Sequence, residues 1–305
     1  MTYTTELQDA RTAHALAGRA LYGNDFSASE IAAWFEDERD GYFNMYYGAD
    51  AAPAAPAAPA VPAVPAVPAQ AASQYEYAAL AELHGFRWLP ARPWRHVLGI
   101  GSATGAELRP VIPQAQELTI LEPASGFAST EIDGKPVRYV QPDASGLMPF
   151  AAATFDLVVC LSCLHHVPNV GTVLREIGRV LEPGGYVLLR EPTHSMGDWR
   201  RPRQGLTKRE RGIPLPVFRQ LIRDAGLTVV QETRCMFSLT SRLQRLSTRR
   251  IWSLRMLVAA DALMCRLPVW PAAYHATHWV QKIRPTAVAY VLRRDAQASQ
   301  PAMGG

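Results

Sequence analysis

From His96 onward the chain alternates short apolar runs with amphipathic stretches, and this rhythm leaves few folds open. "HVLGIG" and "ELTILEP" read as buried strands, with a short helix from Ala106 between them. "VRYVQPD", "FDLVVCLS" and "GGYVLLREP" supply three more apolar runs. "VGTVLREIGRVLEPGG" is an amphipathic helix stopped by Pro183 and Gly184. "LPVFRQLIRDAG" is a second, closed by Gly226, and "LTVVQETRCMF" and "TAVAYVLRR" finish as strands. Repeated strand–helix–strand units demand an α/β fold, a parallel sheet with helices on both faces. Ligands of such sheets bind at the carboxyl ends of the strands, near the point where strand order reverses.

Before this region lies "APAAPAAPAVPAVPAVPA", with proline at every third place from Pro53 to Pro68. Proline removes amide donors and fixes φ, so this is a stiff polyproline II spacer and no part of a helix or sheet. It separates an N-terminal helical cap, 1–48, from a main domain, 74–294, with 49–73 as an Ala/Pro-rich linker. In the cap, "SASEIAAWFEDERDGYFNMYY" opens with Ser27 and Glu30 in capping-box spacing. A Trp- and Arg-rich helical insert, about 241–284, interrupts the rhythm before the last strand, and 295–305 reads as a disordered tail. The insert reads as a packed lid over an acceptor pocket, with peripheral membrane contact through 249–270 as an alternative.

With 48% hydrophobic and 19% charged residues the composition is that of a soluble protein. The opening residues show no secretory signal, and no run reaches the roughly 18 to 20 apolar residues of a spanning helix. Cys160, Cys163, Cys235 and Cys265 are too few and scattered for a disulfide framework, so a cytoplasmic setting is expected. The net charge of +4 hides a division: 12 basic against 22 acidic residues up to Trp199, then 19 against 5 from Arg200 onward. Either the C-terminal third meets something anionic, or its arginines are solvated or face the acidic N-terminal part.

"GIGSATG" places small residues at Gly101, Ala103 and Gly105, with no glycine three places after Ala103. The dinucleotide pattern G-x-G-x-x-G is therefore absent, and the spacing favours a loop for S-adenosylmethionine, binding through Gly101, Ser102, Ala103 and Gly105. Glu122 ends the second strand, placed to accept from two ribose hydroxyls. Asp143 follows the third, placed to accept from an adenine amine, with Ala144 offering a backbone amide. Leu161 ends the fourth strand, beside the methionyl portion, with His165 in the turn that follows.

Residues 95 to 195 resemble the class I S-adenosylmethionine-dependent methyltransferases, of the type 11 branch that includes the ubiquinone and menaquinone biosynthesis enzymes; "LMPFAAATFDLVV…LHHV…RVLEPGGYVLL" carries the likeness. It continues more loosely to about Arg294. The resemblance implies a Rossmann-like, seven-stranded, mostly parallel sheet whose last strand is antiparallel, and S-adenosyl-L-methionine as cofactor. Two positions depart from that family's first motif. Gly99 stands where an acid usually helps to anchor the cofactor's amino end, and Ala103 replaces the middle glycine.

The resemblance also implies that the turn bearing His165 and His166 closes over the cofactor. His166 is the candidate general base, needed only where an acceptor must lose a proton. Glu191 and His194 follow the fifth strand, at the expected pocket mouth, and are further base or acceptor-binding candidates. Beyond them Asp198 and Trp199, then Arg200, Arg201, Arg203, Lys208 and Arg209, could grip an anionic acceptor. No metal is expected: Glu191, His194 and Asp198 fit no common ligand spacing, and "CLSC" reads as buried small residues. The expected activity is methyl transfer to a small-molecule or lipid- or glycan-linked acceptor. Rival readings are a non-catalytic S-adenosylmethionine-binding scaffold and an RNA methyltransferase, although no RNA-binding module is recognisable. A nicotinamide-dependent reductase is disfavoured by the loop spacing.

Overall fold

Eight strands of the described residues share one sheet, and their burial follows from their place in it. The structure, a computed structural model, describes residues 26–48, 75–197, 203, 205–248, 250–267, 273–276 and 278–295. The expected linker at 49–73, Arg249, Trp270 and the tail beyond Asp295 fall outside them. In chain order come α1 (Ala28–Tyr47), α2 (Ala78–His84), β1 (Trp94–Ile100), β2 (Ala115–Leu121), β3 (Glu131–Ile132) and β4 (Lys135–Val140). Then follow β5 (Phe155–Leu161), α3 (Val170–Val180), β6 (Leu181–Pro192), α4 (Leu215–Asp224), β7 (Leu227–Phe237), α5 (Ser238–Arg242), α6 (Arg255–Met264) and β8 (Pro285–Arg294).

The strand order is β3-β4-β2-β1-β5-β6-β8-β7. β1 runs parallel to β2 and β5, β2 to β4, and β5 to β6. β8 is antiparallel to both β6 and β7, as the resemblance implies. The eighth strand is the two-residue β3, paired antiparallel to β4 across Asp133 and Gly134. Both turn residues have positive φ, +50° and +76°, the Asp-Gly geometry of a tight hairpin.

β5 is buried at all seven positions, as a central parallel strand covered on both faces must be. Leu98, Val158 and Leu189 pack under α3 and α4 with Leu174, Ile177, Phe218 and Leu221. Val97, Val159 and Leu188 face the other layer with Trp94, Leu108 and Ala81. Neighbours in sequence thus serve opposite cores, the period of two expected of strands. The chain leaves β1 toward β2 and β4, then returns to β5, so the reversal of order lies between β1 and β5. Their carboxyl ends open the crevice where the site is found.

Two local expectations need correction. The short helix after the loop is a single 3-10 turn, Ala106–Leu108. The helix expected to run to Pro183 ends at Val180, where Leu181 turns extended and pairs with Phe155. Its last carbonyls are taken by Ala153 N on Arg179 O (3.0 Å) and Thr154 N on Val180 O (2.8 Å). Glu182, preceding proline, is in any case biased away from the helical region. No helix among the described residues is long and apolar enough to cross a membrane.

The insert packs away from the crevice. Asp261 of α6, fully buried, accepts from Met236 N (2.9 Å) and Phe237 N (2.8 Å) of β7. Ile251, Trp252 and Val258 bury against Leu80 and Cys235. None of the described insert residues lines the large cavity, so the insert is not its lid.

Candidate active site

The loop after β1 is built from left-handed backbone: Gly101 at φ +62°, Ala103 at +45° and Gly105 at +75°. Such angles cost little for glycine but are strained for alanine, so something must hold Ala103 in place. Its amide donates to Glu122 Oε2 (3.0 Å), and its carbonyl accepts from the Tyr139 hydroxyl (2.9 Å). The other oxygen of Glu122 accepts from Ala124 N (3.1 Å). At Gly101 a Cβ would meet Cys163 Sγ at 2.3 Å, so only glycine lets the loop pass beside the turn after β5. Burial pushes the Glu122 carboxyl up to about 7, against the pull of its two amide donors.

A cavity of about 920 Å³, open to solvent on one side, lies over this loop. Gly101, Glu122, Asp143, Ala144 and His166 all line it, so five residues expected from the sequence meet on one surface. Asp143 is exposed at the exit of β4, and hydrogen bonds from the Ser145 side chain and backbone hold its carboxyl below the usual range. Asn169 pins that exit by donating to Ser145 O (2.5 Å) and Ala144 O (3.3 Å).

The fourth wall is α1. Phe35, Glu38, Arg39 and Tyr42 face the cavity, so the lid comes from the N-terminal helix and not from the insert. The capping box forms as expected: Ser27 Oγ accepts from Glu30 N, and Ser27 N donates to the Glu30 carboxylate (2.8 Å). Trp34 is 1% exposed and donates from Nε1 to His166 O (2.9 Å). Tyr42, Phe43, Tyr46 and Tyr47 surround the fully buried Phe127 ring. A Cβ at Gly126 would lie 2.3 Å from the Phe43 ring, so the helix sits directly on backbone there.

Other candidates are placed elsewhere. Glu191 is not at the pocket mouth; it is fully buried, and its carboxylate accepts from Cys163 N (2.9 Å), Leu164 N (2.8 Å) and His165 N (3.2 Å). It also bonds His165 Nδ1 (2.7 Å), so Glu191 shapes the turn after β5 and His165 is tied down beneath it. His194 turns toward β8, with Nδ1 3.2 Å from Thr286 O, and burial lowers its pKa. Leu161 points into the core, and Ser162 and Cys163 line the cavity in its stead. Ser102, Ala103 and Gly105 support the loop from behind the wall. Ala103 packs against Phe43 and Phe127, and a Cβ at Gly105 would strike Ile132.

The basic segment is also committed. Lys208 and Arg209 pair with Asp37 of α1 at 2.8 and 2.6 Å. Arg203 donates to the carbonyls of Met196, Thr207, Lys208 and Glu210. Lys208 and Arg209 thus face the acidic N-terminal part, in line with the second of the two explanations for the charge division. Asp198, Trp199, Arg200 and Arg201 lie outside the described residues.

His165, His166 and Glu210 lie close enough to share an ion. Yet His165 Nδ1 is held by Glu191, His166 Nδ1 by Glu38 (2.7 Å), and Glu210 Oε1 by Thr207 N (2.7 Å). The group is a hydrogen-bonded network of imidazoles and carboxylates, in which His165 Nε2 and Glu210 Oε2 stand 3.9 Å apart.

Sequence reasoning missed Glu38, Tyr42 and Glu107. Glu107 is 5% exposed, with Ser102 Oγ donating to Oε1 (2.7 Å), and burial pushes its carboxyl up to about 8. Its spacing to the loop was visible; its burial was not. The same contact explains Gly99: a Cβ there would lie 2.5 Å from Ser102 Oγ and 3.0 Å from Leu108 Cδ1. Gly99→Asp is therefore expected to disrupt the loop, lowering Tm by several degrees and weakening ligand binding, checked by thermal melting and calorimetry. A gain in cofactor affinity would contradict this packing argument.

Residues 98–189 match the family model described as "Methyltransferase domain". YcgJ of Bacillus subtilis (strain 168), an uncharacterized methyltransferase, is 34% identical over 105 residues, 32% of this chain and 41% of that protein. The 27-O-demethylrifamycin SV methyltransferase of Amycolatopsis mediterranei (strain S699) is 26% identical over 155 residues, 46% of this chain and 56% of its own. The fatty-acid O-methyltransferase of Mycolicibacterium smegmatis is 37% identical over 67 residues, 21% of this chain and 24% of its own. The match thus spans at most 56% of the length of these relatives.

Proposed function

We propose that this chain, which through residues 98–189 belongs to the class I S-adenosylmethionine-dependent methyltransferases, methylates a small-molecule or lipid acceptor in the cavity beneath α1. The observation that carries the reading is the pair of carboxylates, Glu122 and Asp143, at the ends of adjacent parallel strands on one cavity wall. The residues present fit the donor. Glu122 would accept from the ribose hydroxyls, Asp143 from the adenine amine, and Gly101 leaves room for backbone to approach the aminoacid end. S-adenosylmethionine supplies an electrophilic methyl on a sulfonium.

The chain's own contribution is positioning and exclusion of water. Phe35, Leu147, Met148 and Val167 make much of the remaining wall apolar, which suits a hydrophobic acceptor. Two of the relatives carry acceptors of that kind in their names, a rifamycin and a fatty acid. An anionic acceptor loses its described support, because Lys208 and Arg209 are paired with Asp37. Peripheral membrane contact keeps one, the exposed Leu246, Met256 and Leu263 in or beside 249–270. We propose that Glu107, behind the loop and outside the cavity lining, anchors the donor's ammonium in place of the acid absent at Gly99, the ammonium replacing Ser102 Oγ as its partner.

Calorimetry with S-adenosylhomocysteine tests the reading. Asp143→Ala is expected to weaken binding about tenfold, the low end for a hydrogen bond to a charged group, because the site is open to water. Wild-type protein that takes up no heat from S-adenosylhomocysteine would remove the reading altogether.

A further inference from the structure

His166 stands on the cavity wall with one ring nitrogen already assigned. Its Nδ1 lies 2.7 Å from Glu38 Oε2. Glu38 is 5% exposed and does not move freely: its Oε1 accepts from Arg209 N (2.6 Å), and Oε2 from Thr207 Oγ1 (2.5 Å). Thr207 N in turn donates to Glu210 Oε1 (2.7 Å). A carboxylate fixed in this way orders the neutral imidazole, with the proton on Nδ1 and the lone pair on Nε2. The carbonyl of the same histidine accepts from Trp34, so α1 grips His166 at backbone and ring together.

We propose that Glu38 of α1 is the positioning residue that readies His166 to accept a proton, directing the site to acceptors that present a hydroxyl. The proposal rests on the methyl-transfer reading and names its acceptor class. In such a transfer the hydroxyl oxygen forms the new bond to carbon, and the carbon–sulfur bond breaks with its electron pair left on sulfur. The hydroxyl proton passes to Nε2, giving an imidazolium beside the Glu38 carboxylate, and then leaves to solvent. Neither Glu38 nor Thr207 lies within the residues matched to the methyltransferase model.

The surroundings of the ring agree. Burial alone would lower the His166 pKa, but the Glu38 hydrogen bond and the charges of Glu210, Glu38 and Glu191 outweigh it and raise it. Facing the ring are Glu38 and Tyr42 from α1, Thr207 and Glu210 from the segment before α4, Glu191 from β6, Glu122 from β2, and His165 in its own turn. The sign is fixed by this shift: the proton-accepting, neutral form is present above the raised pKa and is lost as pH falls through it.

The experiment is a proton–carbon NMR titration of the full chain, saturated with S-adenosylhomocysteine, following the ring of His166. Wild-type His166 is expected to titrate above the ordinary histidine value, and Glu38→Gln to bring the midpoint down by about one pH unit or more. A wild-type midpoint at or below the ordinary value overturns the proposal without any variant. A midpoint that Glu38→Gln leaves unchanged, in a chain whose melting shows it folded, overturns it as well. Failure of the cofactor reading is seen separately, as absent binding of S-adenosylhomocysteine to wild-type protein, while the ring can still be titrated.

Discussion

Glu122→Ala is expected to lower affinity for S-adenosylhomocysteine on the order of 100-fold or more, the largest effect of any single cofactor-site change. Two losses combine. The ribose hydroxyls lose their acceptor, at about 1 kcal/mol or more for each bond. The amides of Ala103 and Ala124 lose theirs at the same moment, inside a region where Glu122 is only 4% exposed. Ala103 at φ +45° is then held through its amide by nothing charged, and the strained turn relaxes toward ordinary backbone. Calorimetry reads the affinity and thermal melting reads the fold. Wild-type affinity in the variant would mean that the ribose is not bound here. The carboxyl also leaves a mark on stability. With its pKa raised to about 7, the folded form favours the protonated acid, so stability is fully present below the unfolded value and falls as pH rises from about 4.5 toward 7.

Glu107→Gln is expected to separate two ligands that differ only in their amino-acid end. S-adenosylhomocysteine carries an ammonium; 5′-methylthioadenosine does not. If Glu107 anchors that ammonium, the glutamine variant loses about tenfold or more in affinity for the first and keeps wild-type affinity for the second. Its carboxyl, pushed up to about 8 by burial, is mostly protonated at pH 7, so pairing with the ammonium must expel a proton. Binding enthalpies measured at pH 7 in phosphate and in Tris should therefore differ by the buffers' ionisation heats, and Glu107→Gln should abolish most of that difference. Equal weakening of both ligands would leave Glu107 only the structural part it plays with Ser102.

The fold was legible because β5, β1 and β2 are apolar on both faces, which only a covered parallel sheet tolerates. The cavity wall was legible too: Gly101, Glu122, Asp143 and Ala144 line it and stand at strand ends, and strand ends are what an alternating pattern locates. What failed was anything decided by a side chain's direction. Glu191 stands near the end of β6 as Glu122 stands just past β2, yet it turns inward to satisfy three amides of the neighbouring turn. Leu161 and Ser162 differ by one residue and therefore by a whole face of the sheet. Glu38 reads in sequence as one acid among Glu36, Asp37, Glu38 and Asp40, and only docking of α1 on the turn after β5 picks it out. Gly99 reads as a lost acid until the position of Ser102 shows that no side chain fits there.

The bond from Glu38 to His166 joins positions 128 apart, and that from Arg209 to Glu38 spans 171. On the ribosome α1 emerges before the sheet, and the first partner of Glu38, His166, follows 128 positions later, with Thr207 and Arg209 later still. A solitary 20-residue helix is marginal in water. The newborn chain can thus pair β1, β2, β4, β5 and β6, all made before Thr207, ahead of a complete seat for the helix, so the cavity acquires its roof after its walls. Substitutions that loosen α1 should accordingly yield molecules with an intact scaffold and an open, hydrated chamber.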